Sequence, residues 1–156
     1  MPFYLNSHHN ILISTNLLVN PAFGRRGSFF YVGGEVVQVI DSVQGTVIAN
    51  NVKPAYSFGK RLKGLLFTSS LPRQSGIHIQ PCRSVHTYFM KYPIDIVYLD
   101  ANQVVVGLEQ FVAPGKRGLH IPKAYSVIEL AAGRIEELAL EEGQKLHIQP
   151  KGEKKS

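Results

Sequence analysis

The sequence predicts a single mainly β domain, arranged as a β-sandwich or a barrel, with two short α-helices. Three observations support this fold class. Short β-branched runs separated by turn residues recur along most of the chain, as they do in strands. Only two segments place apolar residues at the spacing of a helix face. The 156 residues, of which 44% are hydrophobic, suffice for one core and are too few for two domains of ordinary size.

The chain divides into three regions. Residues 1–28 are predicted to be a poorly defined N-terminal extension, because their apolar runs are too short to indicate an element. Residues 29–149 are predicted to form the globular domain, and residues 150–156 a polar tail. The His8-His9 pair in the extension has no third ligand nearby in sequence, so we expect a flexible polar pair and no metal site.

The predicted strands follow from the β-branched runs in chain order. Residues 29–32 and 35–40 are predicted to form a hairpin around Gly33-Gly34, because both glycines accept positive φ. Residues 100–103 supply the Asp and Asn of a second hairpin turn. Further strands are predicted at residues 45–49, 76–79, 85–90, 94–99, 104–111, 125–130 and 145–148.

Two segments carry a helical pattern. The first is predicted over residues 54–67, where apolar residues recur at i, i+4, i+7 and i+8 from Phe58 and a proline stands at the start. The second is predicted over residues 133–142, where apolar residues alternate with glutamates at helical spacing and Gly143 follows as a stop. Both helices are expected to cover part of the sheet.

The composition restricts the classes of partner and the compartment. The formal charge is +6, from 17 basic and 11 acidic residues, but the basic residues are scattered, which indicates a solvated basic surface without a nucleic-acid signature. The single cysteine excludes an intrachain disulfide. No stretch approaches the roughly 20 apolar residues of a membrane-spanning helix, and no basic leader precedes the first apolar run. A cytoplasmic location is therefore the expectation.

Residues 82–100 are the expected location of any site, because they combine the chain's cysteine with a histidine, a methionine and two aspartates. Two strands joined by a proline-containing corner would bring Cys82, His86 and Asp95 together. These three residues could act as nucleophile, base and orienting carboxylate of an enzyme. Alternatively, Cys82 is a buried small residue in the wall of a binding pocket, which is the interpretation we favour.

Metal binding and paired-carboxylate catalysis are less favoured. His78, Cys82 and His86 are spaced by four residues, but a proline between them argues against one helix, and a fourth ligand is missing. We therefore expect no metal and no cofactor. Asp95 and Asp100 are five residues apart, so they point to opposite faces of a regular strand.

Seven sequence blocks occur in a characteristic order. They are Arg61-Leu-Lys-Gly64-Leu-Leu-Phe67, Leu71-Pro72, Gly76-Ile77, Met90-Lys91, Ile94-Asp95-Ile-Val-Tyr-Leu-Asp100, Val127-Ile-Glu129-Leu130-Ala-Ala-Gly133 and Glu142-Gly143. In this order they resemble the domain of unknown function 192 family, also called uncharacterised protein family 0127, over roughly residues 45–149. The resemblance implies a small, mainly β bacterial or archaeal domain with one or two packed helices, and no established reaction.

The chain departs from the family pattern at two places. The family's Phe-Trp-Met-Lys-Asn-Thr stretch is represented by residues 88–91, Tyr-Phe-Met-Lys, followed directly by Tyr92-Pro93 and without tryptophan. A pocket formed by this stretch would therefore differ in shape from that of the longer form. The family's Gly-Asp near the end is Gly143-Gln144, so a role that requires that carboxylate does not transfer.

The function expected from the sequence is a non-catalytic binding or accessory module for a small ligand or a protein partner. Glu129 interrupts an apolar strand, and it is expected either to point outward or to form an internal ion pair with Arg61. The alternative is an enzyme that uses the cysteine and histidine named above. The residues expected to line the pocket are Arg61, Cys82, His86, Thr87, Met90, Asp95 and Glu129.

Overall fold

The computed structural model describes residues 36–66 and 68–152, which contain seven strands and two short helices. The strands are β1 (Val37–Asp41), β2 (Val47–Ala55), β3 (Ser75–Ile79), β4 (Ile94–Leu99), β5 (Val105–Val112), β6 (Ser126–Ala131) and β7 (Leu146–Pro150). The helices are α1 (Phe58–Lys63) and α2 (Arg134–Glu137). The predicted mainly β single domain is confirmed. The predicted extension 1–28, strand 29–32, the Gly33-Gly34 turn and the end of the tail from residue 153 lie outside the described residues.

The seven strands form one sheet with the order β5-β4-β6-β3-β2-β1-β7, in which only β2 and β3 pair in parallel. The sheet curls into a half-barrel, and the two ends of the sheet meet through backbone hydrogen bonds. The Val105 amide donates to the Gln144 carbonyl at 2.8 Å, and the Leu146 amide donates to the Gln103 carbonyl at 2.9 Å. These bonds protect backbone groups that would be unpaired at an open edge.

The two faces of the sheet carry separate apolar clusters. The face enclosed by the curl, here called the inner face, buries residues from six strands together with Ile135 of α2. The opposite, outer face buries Ile77, Ile94 and Ile96 under irregular segments that contribute Val85 and other apolar side chains. Because side chains alternate along a strand, each position on β4 or β6 belongs to one face only. This alternation decides which predicted site residues can meet.

The first helix is shorter than predicted because β2 continues past its expected end. Residues 51–55 pair with β3, so Pro54 lies in a strand, and the helix begins only at Phe58. Gly64, with φ +45°, follows the last helical residue. The predicted buried helix face is also wrong, since Phe58 is 75% exposed and Leu62 is 65% exposed. Leu65 is buried, but it lies beyond the end of the helix.

The predicted strand at residues 85–90 is wrong as well. Residues 80–93 form an irregular loop, here called the 80–93 loop, with a single bridge between His86 and Arg117. The second helix spans four residues instead of ten, and it is followed by a turn in which Ala139 has φ +48°. The strands predicted at 76–79, 94–99, 104–111, 125–130 and 145–148 are confirmed to within two residues at each end.

Candidate functional site

A small pocket lies on the outer face of the sheet, between the α1 segment and the 80–93 loop. We call it the outer pocket, and its volume is about 300 Å³. Its apolar walls come from Phe58, Leu62, Leu65, Leu66, Ile79, Pro81, Val85 and Met90. Its polar and charged lining comes from Arg61, Lys63, Cys82, Ser84, His86 and Glu129.

Five of the seven residues predicted to share a pocket line this one, whereas Thr87 and Asp95 do not. The five are Arg61, Cys82, His86, Met90 and Glu129. Three different parts of the chain supply them, namely α1, the 80–93 loop and β6. The pocket therefore forms only when the loop and α1 are both packed on the sheet.

Glu129 is the most unusual group in the outer pocket. It lies on β6 between Ile77 of β3 and Ile96 of β4, on the outer face, and only 4% of the residue is exposed. Within residues 36–66 and 68–152, the Glu129 carboxyl has neither a hydrogen bond nor an ion pair. Burial disfavours the charged carboxylate and raises the pKa of Glu129 to about 8.

A carboxyl on a residue that is only 4% exposed is costly when no protein group hydrogen-bonds to it. Its oxygens line the pocket and are not fully enclosed; the fully enclosed side-chain atom without a partner among the described residues is His78 Nε2, on the inner face. The neighbouring strand positions are occupied by apolar residues, and β6 is buried along its whole length. An apolar residue at position 129 would fit this environment without the desolvation cost. The carboxyl is thus a feature of the pocket that the fold itself does not require.

Arg61 lines the same pocket but does not neutralise Glu129. Its Nη1 donates to the Tyr56 carbonyl at 2.9 Å and to the Gln80 carbonyl at 3.4 Å, so it links α1 to the start of the 80–93 loop. The expected ion pair between Arg61 and Glu129 is therefore not formed. The remaining nitrogens of the guanidinium make no hydrogen bond to any residue that the structure describes.

Cys82 lines the same pocket, and both Glu129 and Arg61 affect its thiol. Burial raises the pKa of the Cys82 thiol most strongly; hydrogen bonding with the Ser84 backbone and the charge of Arg61 oppose this shift, and Glu129 adds to it. The Cys82 Sγ donates to the Ser84 carbonyl at 3.1 Å. A thiol in this state is mostly protonated at neutral pH, so it is a poor nucleophile.

His86 is exposed at the mouth of the pocket and stacks on Tyr88, with 4.9 Å between the ring centroids. Asp95, its expected orienting carboxylate, is fully buried and shares the inner face with Val97. The two carboxylate oxygens of Asp95 accept hydrogen bonds from the Phe111 amide at 2.9 Å and the Ile135 amide at 2.8 Å. Asp95 therefore secures β5 and α2 and does not reach His86.

Thr87 also stabilises the fold and does not line the outer pocket. It is fully buried, and its hydroxyl donates to the Ala113 carbonyl at 2.7 Å and accepts from the Lys116 amide at 2.9 Å. The Thr87 amide also donates to the Lys116 carbonyl at 2.8 Å. These bonds fix the 80–93 loop against the segment that follows β5, and they hold the wall of the pocket in place.

The three residues considered as metal ligands do not converge. His78 lies on β3 between Ile77 and Ile79, and the alternation of the strand places it on the inner face. Its Nδ1 hydrogen-bonds to the Tyr56 hydroxyl at 2.8 Å, and burial lowers its pKa to about 4. Across the described ranges, no group of three or more His, Cys, Asp or Glu side chains is placed to hold a metal ion.

The sequence interpretation missed the apolar walls of the pocket. The sequence places Leu62, Leu65 and Leu66 on a predicted buried helix face and Ile79 and Val85 in predicted strands, so it assigns none of them to a site. A usable signal was present in the sequence of the α1 segment, where Phe58 and Leu62 are interspersed with Lys60, Arg61 and Lys63.

The fold and the outer pocket define a small mainly β domain with a ligand-sized pocket on the outside of a curled sheet. The chain belongs to the DUF192 family, described as "Uncharacterized ACR", and it matches this family over residues 39–148. The resemblance inferred from the sequence blocks is thereby confirmed. In residues 36–66 and 68–152, no helix has the length and apolar character to cross a membrane.

Relatives extend over most of the described domain. The chain is 30% identical over 118 residues to a UPF0127 protein of Thermococcus sibiricus, covering 69% of this chain and 72% of that protein. It is 33% identical over 115 residues to a UPF0127 protein of Pyrococcus furiosus, covering 69% and 95%. A crystal structure of a protein of unknown function from Novosphingobium aromaticivorans aligns with a TM-score of 0.63 at 19% identity, covering 72% and 83%. The structural likeness shows a shared fold.

Proposed function

We propose that this protein is a binding module whose outer pocket holds a small ligand with an apolar body and a polar group that reaches Glu129. The observation that carries this proposal is the buried, unpartnered Glu129 carboxyl in the lining of the pocket. A ligand that hydrogen-bonds to this carboxyl would offset a desolvation cost that the free protein bears. Binding would therefore supply the hydrogen bond that the Glu129 carboxyl lacks among the described residues of the free protein.

The size of the outer pocket limits the ligand. A volume of about 300 Å³ corresponds to about ten water molecules at their share of liquid volume, so the ligand has on the order of ten non-hydrogen atoms. This lies at the small end of ligand pockets in proteins. The leucines, Ile79, Val85 and Met90 supply an apolar wall for aliphatic groups, and Met90 adapts easily to their shape.

The contacts of the candidate catalytic residues favour binding over the enzyme alternative. Asp95 has its oxygens occupied by two backbone amides on the inner face, so His86 lacks an orienting carboxylate. Cys82 has a raised pKa and donates to a backbone carbonyl. A thiol nucleophile needs the opposite, a lowered pKa and an adjacent base. As a further proposal, the cytoplasm is the location that suits a chain whose one cysteine has no disulfide partner.

Methyl NMR with hexan-1-ol as probe tests whether the outer pocket binds an aliphatic ligand. We expect shifts at the methyl groups of Ile79, Val85 and Met90, which line the pocket. The methyl groups of Ile135 and Leu146, which lie in the inner cluster, should not move. An affinity in the millimolar range is expected for a probe of this size.

A pair of matched variants controls this experiment. Leu62→Glu removes an apolar group from the mouth of the pocket, whereas Val43→Glu makes the same kind of change at a residue that is 89% exposed and does not line the pocket. We expect Leu62→Glu to weaken binding of hexan-1-ol and Val43→Glu to leave it unchanged. Shifts spread over both clusters, or equal effects of the two variants, would contradict the proposal.

A further inference from the structure

We propose that the ligand of the outer pocket is amphoteric: it carries an amino group that pairs with Glu129 and an acid group that pairs with Arg61, joined by a short aliphatic body. This inference rests on the proposed binding function and specifies the chemical class of the ligand. It follows from a carboxyl and a guanidinium that line one small pocket and are not paired with each other. An ammonium group placed beside the carboxyl favours its ionised form.

The carboxyl of Glu129, at the deep end of the pocket, lacks a hydrogen-bond donor within the described part of the chain. Glu129 is nearly completely buried, and no described residue donates to its carboxyl. Ile77 and Ile96, its neighbours on the two adjacent strands, have no polar side-chain atoms to offer. An ammonium group brings three donors and a compensating charge, and hydrogen bonds between ionised groups are stronger than neutral ones. An amine is thus the best match for this end.

The mouth of the pocket calls for an anion. Arg61 uses Nη1 for two backbone carbonyls, and the rest of its guanidinium fork is left for a ligand. Lys63 lines the same pocket and is exposed, so the mouth carries a second positive charge. A carboxylate fits a guanidinium through two parallel hydrogen bonds. A simple amine would enter this mouth against repulsion, whereas a molecule that also carries an acid group would not.

The walls between the two ends are aliphatic. Leu65, Ile79, Val85 and Met90 line the pocket, and all four are buried. A chain of methylene groups buries apolar surface there, with a gain of about 0.8 kcal/mol for each group. A ligand with an amino group, an acid group and an aliphatic body would contact Glu129 at the deep end, the aliphatic walls and Arg61 at the mouth together. A simple amine, acid or alcohol would contact at most two of these three parts of the pocket in this way.

Isothermal titration calorimetry on the full chain at about pH 8 compares matched probes. The amphoteric probes are the ω-amino acids from 3-aminopropanoate to 6-aminohexanoate, because the separation of the two charged groups selects the chain length. Hexan-1-ol, hexylamine and hexanoate are the single-function controls. We expect the best ω-amino acid to bind at least about tenfold more tightly than hexan-1-ol, as one charged hydrogen bond suffices for this factor.

Two variants assign the ends of the ligand. Glu129→Gln keeps the size of the side chain, and we expect it to abolish the advantage of the ω-amino acid over hexanoate. Arg61→Lys keeps the charge but loses the fork and the two contacts that link α1 to the 80–93 loop. Hexan-1-ol binding to the same variant therefore measures any change in the shape of the pocket, and we expect the advantage of the ω-amino acid over hexylamine to fall by more than the affinity for hexan-1-ol. Circular dichroism of each variant verifies that it is folded, and the comparison of probes on the wild-type protein needs no variant.

The outcomes separate this inference from the binding function on which it rests. If hexan-1-ol binds as tightly as every ω-amino acid, the ligand is not amphoteric, but the pocket still binds small molecules. If hexylamine alone equals the best ω-amino acid, the acid group has no role and the inference is again overturned. If no probe binds at millimolar concentration, both the inference and the binding function are contradicted.

Discussion

The replacement Glu129→Gln is expected to change how the stability of the protein depends on pH. Burial raises the pKa of Glu129 to about 8 in the folded protein, from an ordinary value of 4.5. The folded state therefore binds more protons than the unfolded state between these two pKa values. Stability contributed by the protonated carboxyl is fully present below about pH 4.5 and is lost as the pH rises through about 8. Glutamine cannot titrate, so the variant lacks this loss.

The size of the effect follows from the pKa difference. Each unit of pKa difference corresponds to about 1.4 kcal/mol. Between about pH 5 and about pH 7, the wild-type protein should lose about 2 to 3 kcal/mol of unfolding free energy relative to Glu129→Gln. His78 titrates in the opposite sense, but it is present in both proteins. The same holds for Arg61, Cys82 and His86, which line the pocket, and for Tyr98, whose pKa Glu129 helps to raise. Their contributions cancel in the difference to first order.

Urea unfolding of both proteins across this pH range measures the difference directly. Glu142→Gln is the matched control, because it makes the same change of side chain at an exposed position. The reasoning would be refuted if the Glu129→Gln difference were constant between about pH 5 and about pH 7. It would also be refuted if Glu142→Gln showed the same pH dependence, since the effect would then not come from burial.

Three further predictions concern the role of Asp95, the reactivity of Cys82 and the pH dependence of ligand binding. Asp95→Asn should destabilise the protein by about 2 kcal/mol or more, measured by urea unfolding, because one of two buried backbone amides loses its acceptor; an unchanged midpoint would contradict this. Iodoacetamide should alkylate Cys82 in the folded protein at least about tenfold more slowly than in unfolded protein at neutral pH. Mass spectrometry measures the two rates. The variant His86→Ala should leave that rate unchanged, and a slower rate would support the enzyme alternative. The affinity for the best ω-amino acid should fall roughly 50-fold between about pH 8 and about pH 6 as Glu129 becomes protonated, measured by calorimetry, whereas the affinity for hexan-1-ol should stay constant.

The strands were predictable because their signal is local. The runs at 94–99 and 125–130 are rich in β-branched residues, and both became central, fully buried strands. Glu129 could be singled out for the same reason, as an acid inside such a run. The orientation of the Glu129 side chain could not be predicted from the sequence. The choice between an outward residue and an ion pair depends on which face of the curled sheet is covered.

The errors arose where distant parts of the chain decide the structure. Residues 85–90 of the 80–93 loop are predicted to form a strand, but Thr87 is bound by backbone groups of residues 113 and 116, and their proximity is not visible in the local pattern. Asp95 was assigned to the site, and its actual partners are the amides of residues 111 and 135. An acidic residue inside an apolar strand indicates that its carboxyl needs hydrogen-bond donors, but the sequence does not show which residues supply them.

The helix predicted at residues 54–67 shows a different limit of prediction from sequence. Its apolar spacing is real, but the first half points into solvent around the mouth of the outer pocket, as the exposure of Phe58 and Leu62 shows. A periodic apolar face predicts burial against the core in most proteins. Here β2 extends into the expected helix, and the remaining segment is too short to pack along the sheet.

The carboxyl carbon resonance of Glu129, followed by ¹³C NMR over a pH titration with and without the best-binding ω-amino acid, tests the central claim most directly. We predict an apparent pKa near 8 for the free protein and a lower pKa in the presence of the ligand, because an ammonium group stabilises the carboxylate. A carboxyl that titrates near its ordinary value of 4.5, or a pKa that the ligand does not move, would contradict the account.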